Sequence, residues 1–363
     1  MSLGRVLVAV SALALAASCA KNVVMPPRVA LTKPTQKQAA VAKPVKPAPI
    51  KIAIAPTPTV TGKATSVSVE EIVKAAPKVR PIQLAKLIKP TTSIASDPSC
   101  NSDMVAEIPN RRAKAGSGSA VVQQAFKLSG TQRDTFVAKQ LLDGNTPAFL
   151  WNLTPVAFTG VDSKGTPVQI TICVTPDYLA VGDNNDFVRM PMGLPAAAEV
   201  ANGLGFILPT TKMVDGIYQQ AGLQLAPSPM TPGSQMSSTD YLWKHNSTVQ
   251  TQRQASRQQS GVLVAGQKKD LVLSNVLRSA PGRVAIYGWH RTNGKPIQPL
   301  STVHGESYAD YSHGVRLVSK TAFVNGSPRA IASILEDPKL ASILSKEGPI
   351  SKPLRLMAAI STN

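Results

Sequence analysis

The chain has 363 residues and a net charge of +19, from 39 Lys and Arg against 20 Asp and Glu, with aromatic residues at only 4%. Such a charge raises the question of nucleic-acid binding. However, no aromatic residue precedes Phe126, so the basic N-terminal region offers no rings on which bases could stack, and nucleic acid is not an expected partner. The length is sufficient for one sizeable domain with a long extension.

Residues 1–18 are predicted to be a signal peptide. Arg5 gives a weak positive start, and the apolar run Val6–Ala17 is shorter than the roughly 20 residues that span a bilayer. The run ends in Leu15-Ala16-Ala17-Ser18-Cys19, which resembles the lipobox of bacterial lipoproteins. The resemblance implies cleavage before Cys19 and acylation of its thiol with chains such as palmitate, which together form a firm membrane anchor. An ordinary signal peptide with an incidental cysteine is the alternative.

The two residues after the cysteine, Ala20 and Lys21, are similar to those of lipoproteins sorted to the outer membrane. The expected location is therefore the cell envelope, on an outer membrane and facing the periplasm.

Residues 19–97 are predicted to be a disordered Pro/Lys-rich tether. This stretch holds about 13 Lys or Arg, about 3 Asp or Glu and about a dozen prolines. A segment without aromatic residues buries too little apolar surface to offset its ordering entropy. Its charge favours attraction to peptidoglycan, another anionic polymer or lipid headgroups, or it simply keeps the linker solvated.

Residues 98–363 are predicted to form an α+β domain with a mixed or antiparallel sheet and short flanking helices. A Pro/Ser/Met-rich loop leaves open a split into two lobes near 227–260. Predicted helices, from periodicity and capping, are Thr131–Leu142, Pro195–Ala201 and Thr211–Ala221, with two short ones starting near Pro328 and Pro338. Predicted strands are Val168–Val174, Tyr178–Val181, Phe187–Met190, Val262–Ala265, Leu271–Leu273, Val284–Tyr287, Val315–Ser319 and Thr321–Val324.

Cys100 and Cys173 are the two cysteines of the predicted domain. In an oxidising compartment they are expected to form a disulfide, with two separate buried thiols as the alternative.

Chemically versatile side chains are concentrated between Tyr287 and Arg316, which hold three of the four histidines. The candidate catalytic residues are His290, His304, Asp310, Tyr311, His313 and Arg316. In this hypothesis a histidine acts as base, a tyrosine or second histidine acts as acid, and Arg316 holds an anionic substrate group. No cofactor is expected, except that His304, Asp310 and His313 could instead bind a divalent metal.

A structural alternative exists for each of these residues. If Tyr308–Val318 is one regular strand, Asp310 and His313 lie on opposite faces. His313 is then a core histidine and Asp310 pairs with Arg316. His245 is expected to be a surface or packing residue, and Lys268-Lys269-Asp270 a solvated turn.

Three segments, Asp183–Met192, Leu208–Asp215 (LPTTKMVD) and Asp310–Gly314 (DYSHG), resemble a family of uncharacterised secreted bacterial proteins. The resemblance extends over roughly residues 165–350. It implies a shared domain and no particular activity.

Two functions of different class follow from the sequence. The first is an envelope hydrolase or lyase that acts on cell-wall or extracellular polymer through the His/Tyr/Asp/Arg site. The second is a non-catalytic envelope protein that binds a polymer or a protein partner, with the His-rich stretch as scaffold.

Overall fold

The computed structural model describes residue 100, residues 102–257 and residues 261–361. The predicted signal peptide, Cys19 and the tether lie outside these residues. The helices are Gly118–Ala125 (α1), Gly130–Leu142 (α2), Leu194–Gly203 (α3), Thr211–Gln220 (α4), Thr239–Ala255 (α5), Val276–Ser279 (α6), Ile331–Glu336 (α7), Ala341–Leu344 (α8) and Pro353–Ser361 (α9), with 3-10 turns at Ser102–Val105, Ala148–Trp151 and Ser234–Ser237.

The strands are Thr154–Val161 (β1), Pro167–Val174 (β2), Ala180–Gly182 (β3), Phe187–Arg189 (β4), Phe206–Ile207 (β5), Leu223–Gln224 (β6), Val264–Ala265 (β7), Lys269–Leu271 (β8), Ile286–His290 (β9), Pro296–Ser301 (β10), His313–Gly314 (β11), Val318–Val324 (β12) and Ser327–Ala330 (β13). Helices and mixed or antiparallel sheets share one fold, so the α+β prediction is confirmed. No helix in the described part of the chain is long and apolar enough to span a membrane.

The larger sheet is antiparallel, in the order β1-β2-β12-β13, with β5 paired to β12. Strand β2 lies between β1 and β12, and Ile170, Ile172 and Val174 form an apolar face on one side of it. Thr171 and Cys173 on the other side are buried as well, so both faces are covered there. Phe158 of β1 lies opposite Ile170 and extends the same buried face.

The smaller sheet, in the order β10-β9-β8-β11, carries the candidate residues. Strand β11 runs parallel to β8, so that His313 lies beside Lys269 and Gly314 beside Asp270. Only glycine fits at Gly314, since a Cβ there would lie 2.6 Å from the Tyr178 ring and 2.9 Å from a carbon of Lys268. Close packing thus fixes the His-rich stretch against β8.

Two capped helices place functional side chains. The Thr210 hydroxyl accepts from the backbone N–H of Met213 at 3.2 Å and starts α4, which carries Asp215. The Ser238 hydroxyl accepts from the N–H of Tyr241 at 3.3 Å and starts α5. Helix α5 lies within the 227–260 region and buries one face, which consists of Thr239, Leu242, His245, Asn246, Val249 and Arg253.

Three sequence expectations about the C-terminal elements are wrong. Pro328 does not start a helix, because it lies in β13 opposite Phe323. Pro338 lies in a turn, and the short helix starts at Ala341. The structure has one strand, β12, where two were predicted at 315–319 and 321–324. Strand β12 starts at Val318 and has a register irregularity against β2.

A disulfide joins Cys100 to Cys173, which are 73 positions apart in sequence and have 5.6 Å between their Cα atoms. Cys173 is fully buried in β2. The bond therefore ties the first described residue to the central region of the larger sheet.

Removing this bond should destabilise the domain. We expect Cys100→Ala to lower the free energy of unfolding by roughly 2–4 kcal/mol, because the unfolded chain regains the freedom of a long loop. Urea unfolding of the wild type should be sensitive to dithiothreitol, whereas that of the variant should not. Equal sensitivity of both proteins to the reductant would contradict the assignment.

Candidate functional site

The candidate residues fall into separate places rather than one cleft. His304, Asp310 and His313 surround Tyr308, whereas His290 belongs to a second cluster around Asp215. The side chains of Arg316 and Tyr311 each bond to backbone groups elsewhere.

Asp310 is held by its own loop. Its Oδ1 accepts from the Ser312 N–H at 2.8 Å and from the Ser312 hydroxyl at 2.5 Å, and its Oδ2 accepts from the Tyr308 hydroxyl at 3.2 Å. The regular strand considered over 308–318 is not formed, since residues 308–310 are irregular, 311–312 form a turn and β11 begins at His313. Asp310 and His313 are therefore on one side, with Oδ2 and Nε2 4.0 Å apart.

Three rings stack from the surface inward in this cluster. The half-buried His304 ring lies on the Tyr308 ring with centroids 4.1 Å apart, and Tyr308 meets the His313 ring edge-on at 5.7 Å. His313 is fully buried, and neither of its ring nitrogens has a hydrogen-bond partner among the described residues. Desolvation lowers its pKa to about 4, despite the nearby Asp310. His313 is therefore neutral at pH 7.

A buried lysine, which the sequence interpretation placed in a solvated turn, lies behind this cluster. Lys268 is fully buried, and its ammonium donates to the Tyr311 carbonyl at 2.6 Å and lies 3.0 Å from His245 Nδ1. Desolvation lowers the pKa of Lys268 to about 7. His245 is fully buried and is therefore a core residue rather than a surface one. This burial, and then the charge of Lys268, lowers its pKa to about 2.

His290 is part of the second cluster. Its Nε2 lies 2.9 Å from Asp215 Oδ1, which also accepts from the Tyr287 hydroxyl at 2.9 Å, while Lys346 pairs with Asp215 Oδ2. Asp215 is partly exposed and lines a cavity of about 320 Å³ together with Lys212 and Lys346. Burial opposes ionisation of Asp215, but the hydrogen bonds from His290 and Lys346 keep its pKa below the ordinary value.

Arg316 cannot hold a substrate anion. Its guanidinium donates to the backbone carbonyls of Thr175 at 2.8 Å and Val264 at 2.6 Å, and lies over the Tyr178 ring at 4.3 Å. The expected pairing of Asp310 with Arg316 is therefore wrong. The charge of Arg316 acts on Asp270, which accepts from the Tyr178 hydroxyl at 2.8 Å and whose pKa burial raises to about 6.

Tyr311 has a structural role as well. Its hydroxyl oxygen accepts from the Met230 N–H at 2.8 Å and the hydroxyl lies 3.3 Å from the Met230 carbonyl, so it fastens the 227–238 loop. Its ring packs edge-on against Trp289, with centroids 6.4 Å apart. Trp289 has a φ of +55°, a left-handed conformation that is rare for bulky residues and indicates local strain.

The residues proposed to hold a divalent metal are engaged in other contacts in this structure. A metal needs its ligands at about 2 Å, which places their atoms close to one another. Asp310 is committed to Ser312 and Tyr308, and the Tyr308 ring stacks on His304. Among the described residues, no three His, Cys, Asp or Glu side chains are grouped closely enough to bind an ion.

Sequence reasoning missed Lys268, His245, Asp215 and Tyr308 as parts of these clusters. One signal was available for Lys268, because a Lys-Lys-Asp trio preceding the apolar run Leu271–Leu273 can belong to a buried strand as well as a turn. No known protein family, curated protein or solved structure matches the chain. The similarity to a secreted bacterial family therefore stays a prediction.

The buried histidine gives a pH-dependent stability. Because the pKa of His313 is about 4 in the folded chain and near 6.5 when unfolded, unfolding takes up a proton between these values. Stability present above pH 6.5 is thus lost as the pH falls towards 4. His313→Leu removes this proton uptake. We therefore expect the difference in free energy of unfolding, variant minus wild type, to be larger at pH 5 than at pH 7. If urea unfolding gave the same difference between variant and wild type at both pH values, it would contradict a neutral, buried His313.

Proposed function

We propose that this chain is a lipid-anchored cell-envelope protein whose globular domain binds a wall or extracellular polymer without cutting it. One observation carries the non-catalytic part of the proposal. Five of the six candidate side chains, His290, Asp310, Tyr311, His313 and Arg316, have relative exposures between 0 and 3%. Their burial favours a scaffold role for the His-rich stretch.

A general base must come within hydrogen-bond reach of the proton that it removes. A sealed imidazole such as His313 has no route to a polymer chain. His304 is more accessible, but its ring lies flat on Tyr308, and the hydroxyl of that tyrosine is bonded to Asp310. The arrangement is therefore better suited to fixing a loop than to moving protons.

The position in the envelope rests on the N-terminal sequence. A lipid on Cys19 would give the membrane contact, and the basic tether of residues 19–97 would hold the domain at a distance from an outer membrane, facing the periplasm. The nearest abundant partner there is peptidoglycan, an anionic polymer that the lysines of the tether would attract.

A hydrolase or lyase is the second candidate, favoured by one observation. Asp215 pairs with His290 and borders an open cavity that also holds Lys212 and Lys346. An acid–base reaction there would use Asp215 and His290, and not the Asp310–His313 cluster.

The two candidates differ in what happens to purified peptidoglycan sacculi. We expect the full chain in detergent to sediment with sacculi and to release no soluble fragments, because His290 and His313 are buried. His313→Ala and Asp215→Asn should behave like the wild type in the fragment assay. Failure of the wild type to sediment would overturn polymer binding. Fragment release by the wild type that is lost in Asp215→Asn would establish the enzyme instead.

A further inference from the structure

A polar groove outside the His-rich stretch lies between helix α5 and strand β4. Its volume is about 280 Å³. The residues that define it are Asn185 and Asp186 from the turn before β4, and Trp243, Asn246, Ser247 and Gln250 from α5. Asn246 and Ser247 lie three and four residues after Trp243, and Gln250 lies four after Asn246, so these helical members share one face.

Two amide side chains in this groove have a fixed orientation. Asn246 Oδ1 accepts from the backbone N–H of Arg189 at 3.1 Å and from its Nη1 at 3.3 Å, and Gln250 Oε1 accepts from the same Nη1 at 3.1 Å. A guanidinium only donates, so both amide oxygens must face it and both NH₂ groups must face away. Neither amide nitrogen has a hydrogen-bond partner within residues 102–257 and 261–361.

The guanidinium that orients these amides is itself immobile. Arg189 is buried, and its Nε and Nη2 donate to the two carboxylate oxygens of Asp177 at 2.9 and 2.5 Å. Arg253 and Gln267 also donate to Asp177, at 3.2 and 3.1 Å. A buried network behind the groove therefore holds both amides in place, so that a ligand would not need to reorganise them on binding.

The remaining lining selects the class of ligand. The half-buried Trp243 gives an apolar surface, and the exposed Asn185 and Ser247 give further hydrogen-bonding groups. Asp186 is the one charged side chain among the described lining residues, and its carboxylate already accepts from the N–H and hydroxyl of Ser119. Because no described lining residue is basic, an anionic ligand would have no counter-charge there.

From this arrangement we infer that the groove binds an uncharged, N-acetylated sugar chain. The apolar face of a sugar ring packs on Trp243, and the paired NH₂ groups of Asn246 and Gln250 donate to an acetamido carbonyl, a stronger acceptor than a hydroxyl. The inference rests on the proposed function, for which it names the part of the polymer that is recognised.

The test uses the full chain in detergent and a soluble tetramer of N-acetylglucosamine, with affinity measured by calorimetry. We expect Trp243→Ala to weaken binding at least tenfold by removing the packing surface. Gln250→Glu should do the same, because a carboxylate keeps the acceptor for Arg189 and loses the NH₂ donors. Thr248→Ala, on an exposed part of α5 outside the groove lining, is the matched control and should bind like the wild type.

Several results would overturn the inference. One is wild-type affinity for the tetramer in both groove variants, with unchanged thermal unfolding confirming that they fold. A second is no binding of the tetramer by the wild type, and a third is groove-dependent binding of a wall-stem peptide in its place. Sedimentation with sacculi separates this failure from that of the proposed function. If the groove variants sediment as the wild type does, polymer binding stands and the groove is not its site.

Discussion

The buried carboxylate of Asp177 is the group on which most of the polar interior depends. It receives Arg189 from β4, Arg253 from α5 and Gln267 from the segment before β8, so three parts of the chain meet on two oxygens. Burial works against its ionisation, but the guanidinium of Arg189 and then that of Arg253 hold the pKa below its ordinary value. Removing one partner of such a pair costs about 3–5 kcal/mol, because the other charge remains buried and unpaired.

The need of buried charged groups for partners also explains why polar groups are dense in and around the His-rich stretch. Lys268 and Arg316 are sealed in the interior, and their N–H groups need acceptors. Backbone carbonyls of Tyr311, Thr175 and Val264 supply them. A cluster that resembles catalytic machinery in the sequence is thus accounted for by the hydrogen bonding of a polar core.

Much of the fold was predictable from sequence, since periodicity and caps are local. Helices α2 and α4 and strand β2 match their predictions within one or two residues. One error is local, since Pro328 lies opposite Phe323 in a hairpin whose Asn325-Gly326 turn is a sequence signal that was overlooked. The candidate residues were named without their partners, because Asp215 reaches His290 from 75 positions away, and no local pattern reports such a contact.

The N-acetylated sugar chain is proposed to bind at α5, while the His-rich stretch serves as scaffold. Hydrogen–deuterium exchange of the full chain, with and without the N-acetylglucosamine tetramer, tests this arrangement. We expect added protection confined to residues 183–188 and 243–254. Residues 309–316 should exchange slowly with or without the sugar, because they are buried. Protection that appears instead at residues 304–313, with none along α5, would contradict it.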